Sequence, residues 1–85
     1  MYVATVRITL RPSILDTQGK AVQHALSELG HSEVEDVRVG KLIHLTLDVD
    51  SAEEAQRVAT EAAEKLLANP VMEDFEVEIR EATAA

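Results

Sequence analysis

Residues 2–10 read YVATVRITL, and this stretch decides the fold that the sequence predicts. Apolar residues alternate in it with Thr and Arg, which is the two-residue period of a strand with one buried face. The inner face would consist of Tyr2, Ala4, Val6, Ile8 and Leu10. Arg11-Pro12 ends the strand, because proline cannot donate a hydrogen bond to a neighbouring strand. The chain is therefore expected to begin with a core strand.

The next segment predicts a helix over about residues 17–29. Asp16 is a suitable N-cap, and Gly30 is the favoured residue just past a helix end. The apolar stripe of this helix would consist of Ala21, Val22, Ala25, Leu26 and Leu29. Gly19 lies in the first turn, where glycine costs up to about 1 kcal/mol relative to alanine unless a close backbone approach requires it.

A second helix begins at Ser51-Ala52-Glu53-Glu54, a capping-box pattern. Asn69-Pro70 ends it, because Asn tolerates the left-handed cap and proline cannot continue the helix. Between the two helices, Val34, Val37 and Val39 predict a strand that turns at Gly40-Lys41 into a second strand. The last strand would span about residues 74–80, followed by a frayed tail over residues 81–85.

The resulting order is β-α-β-β-α-β, which is the ferredoxin-like arrangement. We expect an α+β fold and one domain over residues 1–85, in which a four-stranded antiparallel sheet carries both helices on one face. The opposite face would show Val3, Thr5, Arg7, Thr9, Leu42, His44 and Thr46. This face is neither clearly polar nor clearly apolar, which favours a homo-oligomer.

The composition excludes several classes of protein. The 85 residues include no cysteine, which rules out disulfides and thiolate chemistry, and the net charge of −8 argues against a nucleic-acid partner. Residues 42–85 hold eleven acids and three bases, so all the excess charge lies there. With no membrane span or signal peptide in the sequence, we expect a cytoplasmic protein without a membrane partner.

The sequence predicts no catalytic, cofactor-binding or metal-binding residue. His24, His31 and His44 lack the close spacing of a local metal site. The glutamates of the second helix and the last strand are typical of a solvated face. The three glycines form no phosphate-binding loop.

Positive charge gathers around the loop that follows the first strand, on Arg11, Lys20, Arg38 and Lys41. Two interpretations remain open for these residues. They could serve local capping and turn chemistry, or they could form a docking surface for another protein.

Four segments carry a resemblance to a known family: LRPSILDTQGKAV (residues 10–22), LSELG (26–30), VEDVRVGK (34–41) and KLLANPVMEDF (65–75). Together they resemble the PurS family, the small subunit of phosphoribosylformylglycinamidine synthase in purine biosynthesis. This resemblance spans nearly the whole chain in the order and spacing of the family.

The resemblance implies a non-catalytic accessory subunit that bridges an ATP-dependent synthetase subunit and a glutaminase subunit, so that ammonia from glutamine is used for amidine formation. ATP and Mg would bind the large partner subunit, and this chain would form a dimer or tetramer. The candidate interface residues are Arg11, Pro12, Asp16, Gln18, Gly19, Lys20, Arg38, Gly40, Lys41, Asn69 and Pro70. For Asp16, Gly40, Asn69 and Pro70, a structural role as cap, turn or helix stop is favoured over contact.

Two other classes of function stay open on the sequence. The chain could be a free-standing regulatory domain that binds a small metabolite, or a small enzyme in its own right. We expect Lys20→Glu and Lys41→Glu to leave the fold intact and to weaken the complex if the docking interpretation holds.

Overall fold

A computed structural model describes residues 1–82 of the chain. Three strands form one sheet: β1 (Tyr2–Leu10), β2 (Gly40–Leu47) and β3 (Glu73–Glu81). Two helices connect them, α1 (Thr17–Glu28) and α2 (Ala52–Ala62), and a wide π turn (Ala63–Leu67) extends α2. The order along the chain is therefore β-α-β-α-β.

β1 lies at the centre of the sheet, which has the order β2-β1-β3 with antiparallel neighbours. Val6 of β1 pairs with Ile43 of β2 and Val77 of β3. Ala4, Val6 and Ile8 of β1 are fully buried, as the alternation in residues 2–10 predicts, whereas Tyr2 and Leu10, at the two ends of the same face, are partly exposed. α2 covers β1 and β3 with its small residues, so that the core consists of Ala4, Val6, Ile8, Ala55, Ala59, Ala63 and Ala68.

The predicted four-stranded sheet is wrong, because residues 34–39 do not form a strand. The backbone groups that a strand would offer to a neighbour are used elsewhere: the Val39 amide donates to Asp16, and the Glu35 carbonyl accepts from Gln23. Gly40 and Lys41, predicted to form a hairpin turn, are instead the first residues of β2 and pair with β1. The segment before β2 thus packs along the start of α1 rather than extending the sheet.

α1 has the predicted bounds but not the predicted packing. Gly30, at a φ of 94°, follows its end, and the His31 amide donates to the Leu26 carbonyl, as in a Schellman cap. The expectation that both helices cover one face of the sheet is wrong, because within residues 1–82 only α2 packs extensively on it. Leu29, on the apolar side of α1, is 74% exposed.

α2 begins as predicted, with the Ser51 hydroxyl accepting a hydrogen bond from the Glu54 amide. It ends in the π turn, where the Ala68 amide donates to the Ala63 carbonyl five residues back. The sequence pattern gave no sign of this widening. Leu67 turns inward against the core, whereas Leu66 is 82% exposed.

The end of the chain is partly described. Glu81 closes β3, and the Ala82 amide donates to the Met1 carbonyl at 2.9 Å. Residues 83–85 of the predicted frayed tail lie outside the described residues. In residues 1–82, every helix is too short or too polar to cross a membrane.

Candidate functional site

The loops at one end of the sheet bring together the residues singled out by sequence. β2 and β3 both run antiparallel to β1, so their first residues lie beside the last residues of β1; Thr9 pairs with Gly40 and Leu10 with Glu73. We call residues 11–20, 36–41 and 67–74 the loop cluster. All eleven candidate interface residues belong to it: Arg11, Pro12, Asp16, Gln18, Gly19, Lys20, Arg38, Gly40, Lys41, Asn69 and Pro70.

The Asp16 carboxylate holds two of these segments together. Its Oδ1 accepts a 2.7 Å hydrogen bond from the Gly19 amide, which caps α1, and its Oδ2 accepts a 2.6 Å bond from the Val39 amide. The side chain is buried, at 3% exposure. The bond from Val39, then that from Gly19, and more weakly the charge of Arg38 lower the pKa of Asp16 below its ordinary value. Asp16 therefore has the structural role that the sequence favoured.

Gly19 is required by close packing rather than by an unusual backbone conformation. A Cβ atom at this position would overlap the Val37 carbonyl oxygen and press on the Asp16 carboxylate. Gly40 is similar, since a Cβ there would lie 2.7 Å from the Ile8 carbonyl oxygen. Gly19, although costly in the first turn of a helix, thus lets residues 36–39 approach α1.

Arg11 joins three parts of the loop cluster. Its Nη2 donates to the Pro70 carbonyl at 2.7 Å, and its Nε lies 3.3 Å from a carboxylate oxygen of Asp74. Its own carbonyl accepts a 3.0 Å hydrogen bond from Arg38 Nη2. Both guanidinium groups therefore hold the chain itself, whatever else they contact.

Lys41 and Asn69 order the turn between α2 and β3. Lys41 Nζ lies 3.4 Å from Glu73 Oε1 and 3.5 Å from the Leu67 carbonyl oxygen. The backbone amide of Asn69 donates to the same Glu73 oxygen at 2.8 Å, and the side-chain oxygen Oδ1 of Asn69 accepts from the Val71 backbone amide at 3.0 Å. Asn69-Pro70 is therefore a turn in which the backbone N–H and the side chain of Asn69 both form hydrogen bonds with residues that follow it.

The remaining candidates lie at the surface of the described part of the chain. Pro12, Gln18 and Lys20 are exposed, and within residues 1–82 the Lys20 ammonium makes neither an ion pair nor a hydrogen bond. The loop cluster therefore combines a bonded interior with a few unengaged surface groups. This arrangement suits a preformed contact surface.

In the part of the chain that the structure describes, the histidines lie apart from one another, each beside a residue of its own element or of a neighbouring strand. His24 lies 3.2 Å from Glu28 on α1, and His44 lies 3.2 Å from the Thr5 hydroxyl on the outer face of the sheet. His31 lies near Glu33 in the loop after α1. Among residues 1–82 no group of three or more potential ligands could hold a metal ion.

One feature of the loop cluster was missed from the sequence. A cavity of about 460 Å³ opens beside the α2–β3 turn, between Arg11, Glu64, Ala68, Pro70, Glu73, Asp74 and Phe75. Val71 and Met72, in the same turn, are 74% and 40% exposed. Apolar residues in a turn just after a helix stop were the available signal for this surface.

Comparison with known proteins decides the family. Residues 3–81 match the family model of PurS, described as phosphoribosylformylglycinamidine (FGAM) synthase. The chain belongs to the PurS family. A PurS subunit of FGAM synthase from Bacillus subtilis is 45% identical over 84 residues, covering 99% of both chains. A PurS subunit from Methanocaldococcus jannaschii is 37% identical over 93% of this chain and 95% of the relative.

Solved PurS structures share the fold. Bacillus subtilis PurS superposes with a TM-score of 0.86 at 46% identity, covering 95% of this chain and 100% of that one. Methanocaldococcus jannaschii PurS, one of the subunits of formylglycinamide ribonucleotide amidotransferase, gives 0.88 at 35% identity, with 98% and 100% covered. A chain of the PurLQS structure from Thermotoga maritima gives 0.83 at 30% identity, with 94% and 99% covered. PurS is thus a subunit of an assembly in purine biosynthesis.

Proposed function

We propose that this PurS chain is a non-catalytic accessory subunit that bridges the synthetase and glutaminase subunits of FGAM synthase. The observation that carries the proposal is the end-to-end match to PurS subunits, at 45% identity for the Bacillus subtilis protein. A related chain occurs within the PurLQS structure. We extend that assembly to this chain, with the cytoplasm as its expected location.

The chemistry of the chain agrees with an accessory role. A sequence without cysteine cannot supply the thiol nucleophile that the family's glutaminase subunit uses. The loop cluster uses its charged groups to hold its own segments together, which is what a positioning element needs. ATP and Mg²⁺ would be bound by the large subunit, and this chain would keep two active sites in register so that ammonia reaches its acceptor.

We further propose that the chain works as a homo-oligomer, with a second copy covering α1. The radius of gyration is 16.6 Å, whereas a compact chain of 85 residues has about 12 Å. The accessible surface is 6118 Å², against about 5,000 Å² for a compact monomer of 9.3 kDa. This excess is comparable to the roughly 800 Å² that each partner buries in a stable interface.

The accessory role is tested by FGAM synthesis with the large and glutaminase subunits, with and without this chain. Glutamine is the nitrogen source in one series and ammonia in the other. We expect glutamine-dependent synthesis to require the chain and ammonia-dependent synthesis to proceed without it. Equal rates with and without the chain in both series would contradict the bridging role.

A further inference from the structure

The cavity beside the α2–β3 turn has an apolar floor and a charged rim. Phe75 and Ala68 form apolar parts of its lining, and Glu64, Asp74 and Arg11 contribute charged groups. At about 460 Å³ the cavity is large enough for one long side chain of another protein.

The turn that borders the cavity is held by several hydrogen bonds and presents apolar side chains to solvent. Asn69 Oδ1 accepts from the Val71 amide, and Arg11 bonds to the Pro70 carbonyl on one side and to the Met72 carbonyl on the other. Val71, held by these bonds, is 74% exposed. An apolar group fixed in place before binding loses little entropy when it is buried, which is the property of an interface anchor.

The charges of the rim specify what the cavity accepts. Asp74 pairs with Arg11 and Glu73 pairs with Lys41, whereas within residues 1–82 the exposed Glu64 carboxylate has no cationic partner at ion-pair distance. The charged group of an incoming side chain would find this carboxylate free, and the methylene groups of that incoming side chain would contact Phe75. The complementary group is therefore the side chain of a lysine or arginine.

A second copy of this chain is a poor source of that cation. Within residues 1–82, five of its eight basic side chains pair with carboxylates, namely Arg7, Arg11, Lys41, Arg57 and Lys65, and Arg38 donates to the Arg11 carbonyl, which leaves only Lys20 and Arg80. The net charge of −8 also disfavours a second copy against the carboxylates of this cavity, whereas a second copy on α1 would contact the apolar Val22 and Leu29. The occupant is accordingly a different protein with a basic surface.

We propose that the surface formed by residues 64–75, called the 64–75 corner below, docks a basic segment of a partner subunit. A lysine or arginine of that segment enters the cavity beside Glu64, and Val71 anchors the contact. This inference rests on the proposed accessory function. It also assigns the two partners to separate surfaces, with α1 for a second copy and the 64–75 corner for another subunit.

The test measures the affinity of this chain for the mixture of large and glutaminase subunits. Glu64→Lys and Val71→Asp are compared with Glu76→Lys, which makes the same charge change at an exposed position on the outer face of β3. We expect the dissociation constant to rise at least about tenfold for the two corner variants and to change less than about twofold for the control. Thermal unfolding and the mass of the free protein establish that all three variants keep their fold and oligomeric state.

Photo-crosslinking from p-benzoylphenylalanine at position 71 then identifies the occupant. A crosslink to a lysine- or arginine-containing peptide of a partner subunit supports the proposal. A crosslink to a second copy, or unchanged affinity of both corner variants, overturns it while the accessory function stands. If the unsubstituted chain fails to bind the subunits at all, the accessory function itself is contradicted.

Discussion

Asp16 and Val39 lie 23 residues apart in sequence, yet the Asp16 carboxylate accepts a 2.6 Å hydrogen bond from the Val39 amide. The same carboxylate caps α1 through the Gly19 amide. One buried side chain therefore fixes both where α1 begins and where the chain enters β2. Because α1 makes little contact with the sheet in residues 1–82, this carboxylate is a main attachment of the helix to the rest of the fold.

Asp16→Asn is expected to lower the free energy of unfolding at neutral pH. An amide retains one acceptor oxygen but places an NH₂ group against a backbone N–H donor, so one of the two bonds is lost with the charge that strengthens both. Urea unfolding of the variant and the parent protein measures the difference. Asp36→Asn is the control, since within residues 1–82 its exposed carboxylate accepts only from the neighbouring Val37 amide; an equal loss in both variants would contradict this role of Asp16.

The stability difference between Asp16→Asn and the parent protein should depend on pH. The pKa of Asp16 in the folded protein lies below the ordinary value of 3.8, because the Val39 and Gly19 amides stabilise the carboxylate. Its contribution is therefore complete above the unfolded-state pKa, near 3.9, and is lost as the pH falls through the lowered folded-state value. Urea unfolding between pH 7 and pH 2.5 should show a constant difference above about pH 5 that begins to narrow below about pH 4. A difference that persists unchanged at the acid end would disprove the assignment.

Gly19→Ala should destabilise the fold by about 1–3 kcal/mol, because its Cβ would meet backbone that cannot move aside without disturbing Asp16. The double variant with Gly19→Ala and Asp16→Asn should lose less free energy of unfolding than the sum of the losses in the two single variants, since both substitutions act on the same contact. Gly30→Ala is the matched control: it strains a φ of 94° in open space, so its effect should add to that of Asp16→Asn. Additive losses for the Gly19 pair would show that the two residues act separately.

The sequence predicted the elements whose evidence is local. Alternation in residues 2–10 identified β1, and the caps at Asp16, Gly30 and Ser51 lie where the structure has them. Each of these signals concerns residues within a few positions of one another, where strand period and capping chemistry act. Their agreement with the structure therefore required no knowledge of distant contacts.

The prediction of a fourth strand was wrong because it relied on local sequence, whereas the structure of this segment depends on contacts with residues far away in the sequence. Val34, Val37 and Val39 have strand propensity, yet the Val39 amide is taken by Asp16 and the chain lies against Gly19. The same limit applies to the site. The candidate cations were placed in one region by sequence, but the bonds from Arg11 to Pro70 and from Arg38 to Arg11 span dozens of residues and left no pattern to detect.

Lys20→Glu and Lys41→Glu, for which the sequence predicts the same effect, should differ in their free energy of unfolding. Lys41→Glu would set a carboxylate near Glu73, whose side chain is 13% exposed, and should lower the free energy of unfolding by about 1 kcal/mol. Lys20→Glu changes an exposed ammonium that is unpaired within residues 1–82 and should leave thermal unfolding unchanged. If Lys20 contacts a partner subunit, its reversal should still weaken binding to the large and glutaminase subunits. Equal melting temperatures for both variants would show that the Lys41–Glu73 pair does not stabilise the loop cluster.

The apolar side of α1 provides the test of self-association. Val22 and Leu29 are 40% and 74% exposed in the single chain, although they belong to the stripe that a packed helix would bury. Leu29→Asp should therefore reduce the molar mass measured by light scattering to that of one chain of 9.3 kDa, whereas Ser27→Asp, an equal charge change two residues away on the polar side, should leave the oligomer intact. A parent protein that is already monomeric at micromolar concentration would contradict the second-copy proposal. If instead both variants remain oligomeric, the copies must meet through a face other than α1, and the exposed stripe would be free for the other subunits of the synthase.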